Sequence, residues 1–146
     1  MIAVDTNVLV CAHRAETAVH AVATRRLVEL AEGTGLWGLP VFCAGEFIRV
    51  VTHRRVFNPP STLDEAIQFL ERVVAAPGCR ILRPESGFFE LLTAVVRKAD
   101  ARGNLAFDAQ IAALCRQHGV STLLTNDRDF ARFEGLRLRF LDADDE

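Results

Sequence analysis

Short apolar runs and helical repeats take turns along the chain. Residues 2–4 (IAV) form the first run and lead straight into Asp5. Leu9 to Ala12, and beyond His20 the positions Val22, Leu27, Leu30 and Ala31, have the spacing of a short helix followed by a longer one that Gly33 and Gly35 stop. LWGLP at 36–40 predicts a short strand, and residues 41–55 predict a helix with Cys43, Phe47, Val50 and Val51 on one face. After the loop NPPST, Thr62 and Glu65 match a capping box, and Ala66, Ile67, Leu70, Val73 and Val74 continue as a helix until Pro77 and Gly78. Residues 79–84 predict a strand and 86–103 a helix closed by Gly103, with Asn104 capping the next helix at 105–119. STLLT at 121–125 reads as a strand, followed by a turn of helix over 127–133 and a last strand near LRLRF. This alternation predicts an α/β fold with a mainly parallel central sheet sandwiched by helices, because parallel strands need crossover connections. The functional site of such a sheet belongs beyond the carboxyl ends of its strands.

No repeat, low-complexity block or linker divides the 146 residues, half of which are hydrophobic, which suits a single core. We expect one domain over 1–141 followed by an acidic tail, 142–146. The longest charge-free stretch, Gly33–Gly45, contains a proline and is shorter than the roughly 20 apolar residues of a membrane helix. The opening MIAVDTNVLV has no basic segment and places an acid at position 5, which argues against a signal peptide and for the cytoplasm. Cys11, Cys43, Cys79 and Cys115 lack the close pairs of zinc sites and are expected to be reduced, mostly buried thiols. The net charge of -2 hides an asymmetry, because the tail alone carries Asp142, Asp144, Asp145 and Glu146. All basic residues except Lys98 are arginine, whose planar fork suits phosphate.

Several acids stand where a core or a strand end is expected. Asp5 follows the first strand at the functional edge, where it also serves as a candidate helix cap beside Thr6 and Asn7. Asp108 shares a helical stripe with Leu105, Ile111, Ala112 and Cys115, so a carboxylate occupies a core-facing position and needs an arginine, donors or a metal. Glu46 interrupts the stripe of Cys43, Phe47 and Val50, with snorkelling to solvent or an ion pair to Arg49 as its plainer explanations. Asp127 and Asp129 lie just beyond the strand ending at Thr125, and one of them is expected to do no more than cap the turn that follows. Acids gathered on one sheet edge repel one another, and a divalent cation resolves the conflict. All-oxygen ligands point to Mg²⁺ or Mn²⁺ rather than zinc. With Asp5, Glu46, Asp108 and Asp127 neutralised, the remaining surface is basic enough to attract phosphates, through Arg25 and Arg26, the cluster Arg49, His53, Arg54 and Arg55, and Arg128 with Arg132.

In these segments the chain resembles the PIN-domain family, and within it the VapC-type ribonuclease toxins of type II toxin–antitoxin systems, over nearly its whole length. VDTNVLV looks like the family's first motif, with Asp5 at its first metal-binding acid and Asn7 at the accompanying polar position. Glu46 in GEFIRVVTHRRVF resembles the glutamate motif, and Asp108 in DAQIAAL the third acid. In GVSTLLTNDRDFARFEGLRLRF, Thr125 and Asp127 match the family's hydroxyl and fourth acid, with Asp129 the alternative for that acid. The resemblance implies metal-assisted hydrolysis of an RNA phosphodiester. Asp5, Asp108 and Asp127 would hold one or two Mg²⁺ or Mn²⁺ ions, Glu46 would orient or deprotonate water, and Asn7 and Thr125 would place phosphate or water. It also implies a homodimer and a small VapB-type antitoxin whose C-terminal segment occupies the catalytic groove. Within the same fold, an RNA-processing nuclease or a catalytically silent binding module is the alternative. A haloacid-dehalogenase phosphatase would need an acid where Asn7 stands, and a receiver domain would need a lysine after a late strand, whereas Lys98 falls inside a helical pattern.

Overall fold

The computed structural model describes residues 1–142, so positions 143–146 of the expected acidic tail lie outside the described residues. Five strands, β1 (Ile2–Val4), β2 (Trp37–Pro40), β3 (Cys79–Leu82), β4 (Thr122–Thr125) and β5 (Arg137–Phe140), form one sheet of order β3-β2-β1-β4-β5. Every neighbouring pair runs parallel, so the sheet expected to be mainly parallel is entirely so. The crossovers are helical: α1 (Thr6–His13), α2 (His20–Glu32), α3 (Val41–Val51), α4 (Leu63–Val74), α5 (Phe88–Ala99) and α6 (Leu105–Gln117), with a short 3-10 helix at Arg128–Arg132. All four residues of β2 are buried, which requires cover on both faces of the sheet and explains why that strand reads as a continuous apolar run.

From β1 the chain winds outward to β2 and β3, then returns to the other side of β1 to build β4 and β5. The winding therefore reverses between β1 and β4, the place where an open parallel sheet leaves a crevice at its carboxyl edge. Asp5 follows β1 there, and Asp127 follows β4.

Helix ends account for most departures from expectation. The capping box of α4 forms as read, Thr62 Oγ1 accepting from Glu65 N at 3.1 Å and Glu65 Oε1 from Thr62 N at 3.2 Å. By contrast, α3 stops at Val51 instead of continuing to residue 55, as the Thr52 hydroxyl bonds back to the Ile48 carbonyl at 2.6 Å. Helix α5 ends at Ala99 because Asp100 adopts a left-handed conformation at φ 49°, so Gly103 does not close it. Asn104 does not cap α6; it has helical backbone angles and makes no side-chain cap bond. Arg26 is a correction of another kind. It is only 5% exposed and pairs with Glu29 at 3.4 Å, so it does not belong to the basic surface. All four cysteines are free thiols, three of them buried and Cys11 half-buried.

Candidate active site

Asp5 is the helix cap that its position allowed, and it stands at the carboxyl end of β1. Its extended backbone (φ -84°, ψ 160°) makes it the N-cap of α1, and Oδ1 accepts from Thr6 N at 2.7 Å. Its other oxygen, Oδ2, accepts from the Thr125 hydroxyl at 2.8 Å, across a sequence gap that only the β1–β4 pairing closes. That hydroxyl in turn accepts from Asp127 N at 3.0 Å. A hydroxyl has one proton to give, and here it is directed at Asp5. Asp5 is 3% exposed, and burial pushes its carboxyl up to about 7 against the opposing hydrogen bonds, with Glu46 and Asp127 adding repulsion.

Asp108 stands in the first turn of α6, where the buried stripe of Ile111, Ala112 and Cys115 leaves the core and reaches the crevice. It is half-buried as a result, and desolvation together with the charges of Asp127, Asp5, Glu46 and Asp129 pushes its carboxyl up to about 7. Asp127 caps the 3-10 helix, accepting from Asp129 N at 2.9 Å. The expected cap is Asp127, and both it and Asp129 also stand beside Asp108. Asp108, Asp127 and Asp129 each offer a carboxylate oxygen, and the three atoms lie within 4.8 Å of one another.

These acids open on a cavity of about 600 Å³ whose wall includes Glu46, Arg49, Asn104 and Phe107. Among the described residues, no ion pair joins Glu46 to Arg49, so that one of its two plainer explanations does not hold. Lys98 is taken by Glu134 at 2.9 Å. Asp5 and Thr125 do not line the cavity and sit behind it, joined to the wall through the Thr125–Asp127 bond. Asn7 braces the same corner, its Oδ1 accepting from Asn126 N at 3.0 Å.

The donor set suits a hard cation. Three clustered carboxylate oxygens without histidine or thiolate match the ligands of Mg²⁺ or Mn²⁺, and the upward push on Asp5 and Asp108, first from desolvation and then from acidic neighbours, is one that a bound cation would oppose.

The family model of the PIN domain matches residues 2–136. The chain belongs to the PIN-domain family. Over 95% of its length it is 41% identical to ribonuclease VapC43 of Mycobacterium tuberculosis, covering 94% of that protein. It is 34% identical to ribonuclease VapC48 of the same species, over 92% of this chain and 93% of that one. Among solved structures, this PIN domain superposes on VapBC2 of Rickettsia felis, bound to a DNA fragment from its promoter, with a TM-score of 0.70 at 18% identity, over 96% of this chain and 98% of that one. It matches VapC20 of Mycobacterium tuberculosis, a Sarcin-Ricin loop cleaving toxin, with a TM-score of 0.68 at 20% identity, over 94% and 99%. These last two likenesses concern the fold.

Sequence reasoning missed two residues of this PIN domain's acid cavity, Asn104, expected only as a cap, and Phe107, which stands beside the Asp108 stripe, and two more, Gly45 and Gln110, that line a second cavity next to it. The signal for Phe107 was its place one residue off the apolar stripe, where a large aromatic is left 60% exposed.

Proposed function

We propose that this PIN domain is the endoribonuclease toxin of a VapBC-type pair, hydrolysing RNA phosphodiesters with Mg²⁺ or Mn²⁺. The observation that carries the reading is the cluster of Asp108, Asp127 and Asp129 at the reversal point of the sheet. Identity to VapC ribonucleases over almost the whole of both chains supports it.

Asp108, Asp127 and Asp129 would hold the cation, with Asp5 adding charge from behind. When bound, a divalent cation polarises the phosphate and lowers the pKa of water in the site. Thr125 favours the ionised form of Asp5 and fixes its orientation, since the hydroxyl proton is committed to that carboxylate. Glu46 orients the attacking water and accepts its proton, a role open to a half-buried carboxylate without an ion-pair partner. Asn7 holds the loop that carries Asp127. Arg49, His53, Arg54 and Arg55 are exposed at the end of α3 and draw the RNA backbone to the cavity that Arg49 lines. No described helix is long and apolar enough to cross a membrane, and we place the chain in the cytoplasm as a homodimer bound by a VapB-type antitoxin.

Purified protein should cleave RNA with Mg²⁺ or Mn²⁺, leave 5′-phosphate ends, and stop on addition of EDTA. Induced expression should arrest growth, and a co-expressed antitoxin should reverse the arrest. Undiminished cleavage by metal-stripped protein, or 2′,3′-cyclic phosphate products, would overturn the mechanism. Harmless expression of folded chain would point instead to an RNA-processing enzyme or a silent binding module.

A further inference from the structure

We infer that a side pocket adjoining the acid cavity receives one unpaired base of the RNA, beside the phosphate that is cut. The inference rests on the nuclease reading above and adds where the substrate's base sits. Phe42, Gly45, Glu46 and Arg49 recur at i, i+3, i+4 and i+7 on one face of α3, and Phe107 and Gln110 at i and i+3 on α6. Together these six residues line a cavity of about 290 Å³. Glu46, Arg49 and Phe107 line the acid cavity as well, so the two spaces share a wall. Phe107 is the sequence neighbour of Asp108, and Gly45 that of Glu46.

Gly45 is the observation that needs an explanation. It lies inside a helix, where glycine is unfavourable, and its backbone is not in the left-handed region. A Cβ built on it would meet nothing within 4 Å, so crowding does not call for glycine either. What the missing side chain does provide is the pocket itself.

The lining is suited to a base. Phe107 presents a ring that is 60% exposed, and Phe42 is steadied against Phe88 at 6.0 Å between ring centroids. Aromatic rings stack on any unpaired base, and the Gln110 amide offers both a donor and an acceptor to a base edge. Arg49 at the shared wall supplies a cation for the phosphate that joins this base to its neighbour. An apolar segment of a second protein would leave Arg49 facing it without a partner, whereas a nucleotide meets the aromatic lining with its ring and Arg49 with its phosphate. Bases of a duplex are stacked away from such a pocket, so the occupant is single-stranded or splayed out of a loop.

The test compares wild-type protein with Gly45→Leu, which fills the pocket, and Phe107→Ala, which removes the stacking face; Gly45→Ala controls for the helix and should raise Tm. With a randomised single-stranded RNA pool and Mg²⁺ or Mn²⁺, wild-type product ends should show a base preference at one position flanking the cut. Gly45→Leu and Phe107→Ala should flatten that preference and raise KM about tenfold, with a much smaller change in kcat. Binding of the same pool in Ca²⁺ should weaken about tenfold in both variants. Equal KM, equal binding and an unchanged end profile would overturn the subsite while leaving the nuclease reading intact. Weakened binding without cleavage by any of the proteins would sustain the subsite and sink the nuclease reading. A change of oligomeric state in Gly45→Leu by sedimentation, with RNA binding unaltered, would make the pocket an interface between copies and refute the proposal.

Discussion

Replacing Asp108 by asparagine separates a carboxylate that waits for a cation from one that holds the fold together. Its carboxyl is pushed from 3.8 to about 7, first by desolvation and then by Asp127, Asp5, Glu46 and Asp129. At full strength that displacement is about 4 kcal/mol between the two protonation states. Solvent reaches half of the side chain and screens the repulsion, so we take about 1–2 kcal/mol as the cost of its charge in the metal-free protein. The native value lies above the unfolded one, so the native state binds the proton more tightly. The cost is therefore absent below about 3.8, grows through the window up to about 7 and is complete above it. Stability falls as pH rises through that window.

Asparagine keeps the shape and removes the charge. In EDTA at pH 8, Asp108→Asn should unfold about 3–8 °C higher than wild type, and the gap should narrow as both proteins are taken down to pH 5. With Mg²⁺ about a hundredfold above its Kd, wild type should gain about 2.7 kcal/mol, and the variant clearly less. Comparing the two proteins at each pH cancels every other titrating group. If metal-free Asp108→Asn instead lost about 3 kcal/mol or more, Asp108 would be the partner of a buried cation and the reasoning would fail. Equal stabilisation of both proteins by Mg²⁺ would refute it as well.

Thr125→Val removes the donor to Asp5 and the acceptor for Asp127 N, so metal-free stability should drop by about 1–3 kcal/mol and the Mg²⁺ concentration needed for half-maximal stabilisation should rise, both read by thermal unfolding. An unchanged Mg²⁺ requirement would detach Thr125 from the site. Gly78→Ala would place a Cβ 2.5 Å from the Gly35 carbonyl oxygen, a backbone atom that cannot swing aside, and should cost about 1–3 kcal/mol in denaturant unfolding while the Mg²⁺ affinity of the folded protein stays at the wild-type value.

The periodicities of the chain were enough to place the five strands and six helices of the described residues in order, because strand and helix repeats are local properties of a sequence. Helix ends were read less well. Gly103 looked like the stop of α5, but Asp100 takes the left-handed turn four residues after Val96, whose carbonyl the Ala101 N–H then reaches. Asp5 and Asp108 drew attention from sequence alone, since an acid in an apolar pattern carries a desolvation cost wherever the chain goes. Which acids meet is another matter. Asp127 and Asp129 looked like competitors for one place, and the 3-10 helix after β4 turns both carboxylates toward Asp108. The bond from Thr125 to Asp5 exists only because β1 and β4 pair side by side, a register that no local pattern records. Arg26 was lost to the surface and Phe107 left on it for the same reason. Burial is decided by what packs across from a residue, and the side pocket under Gly45 exists only when α3 and α6 are laid face to face.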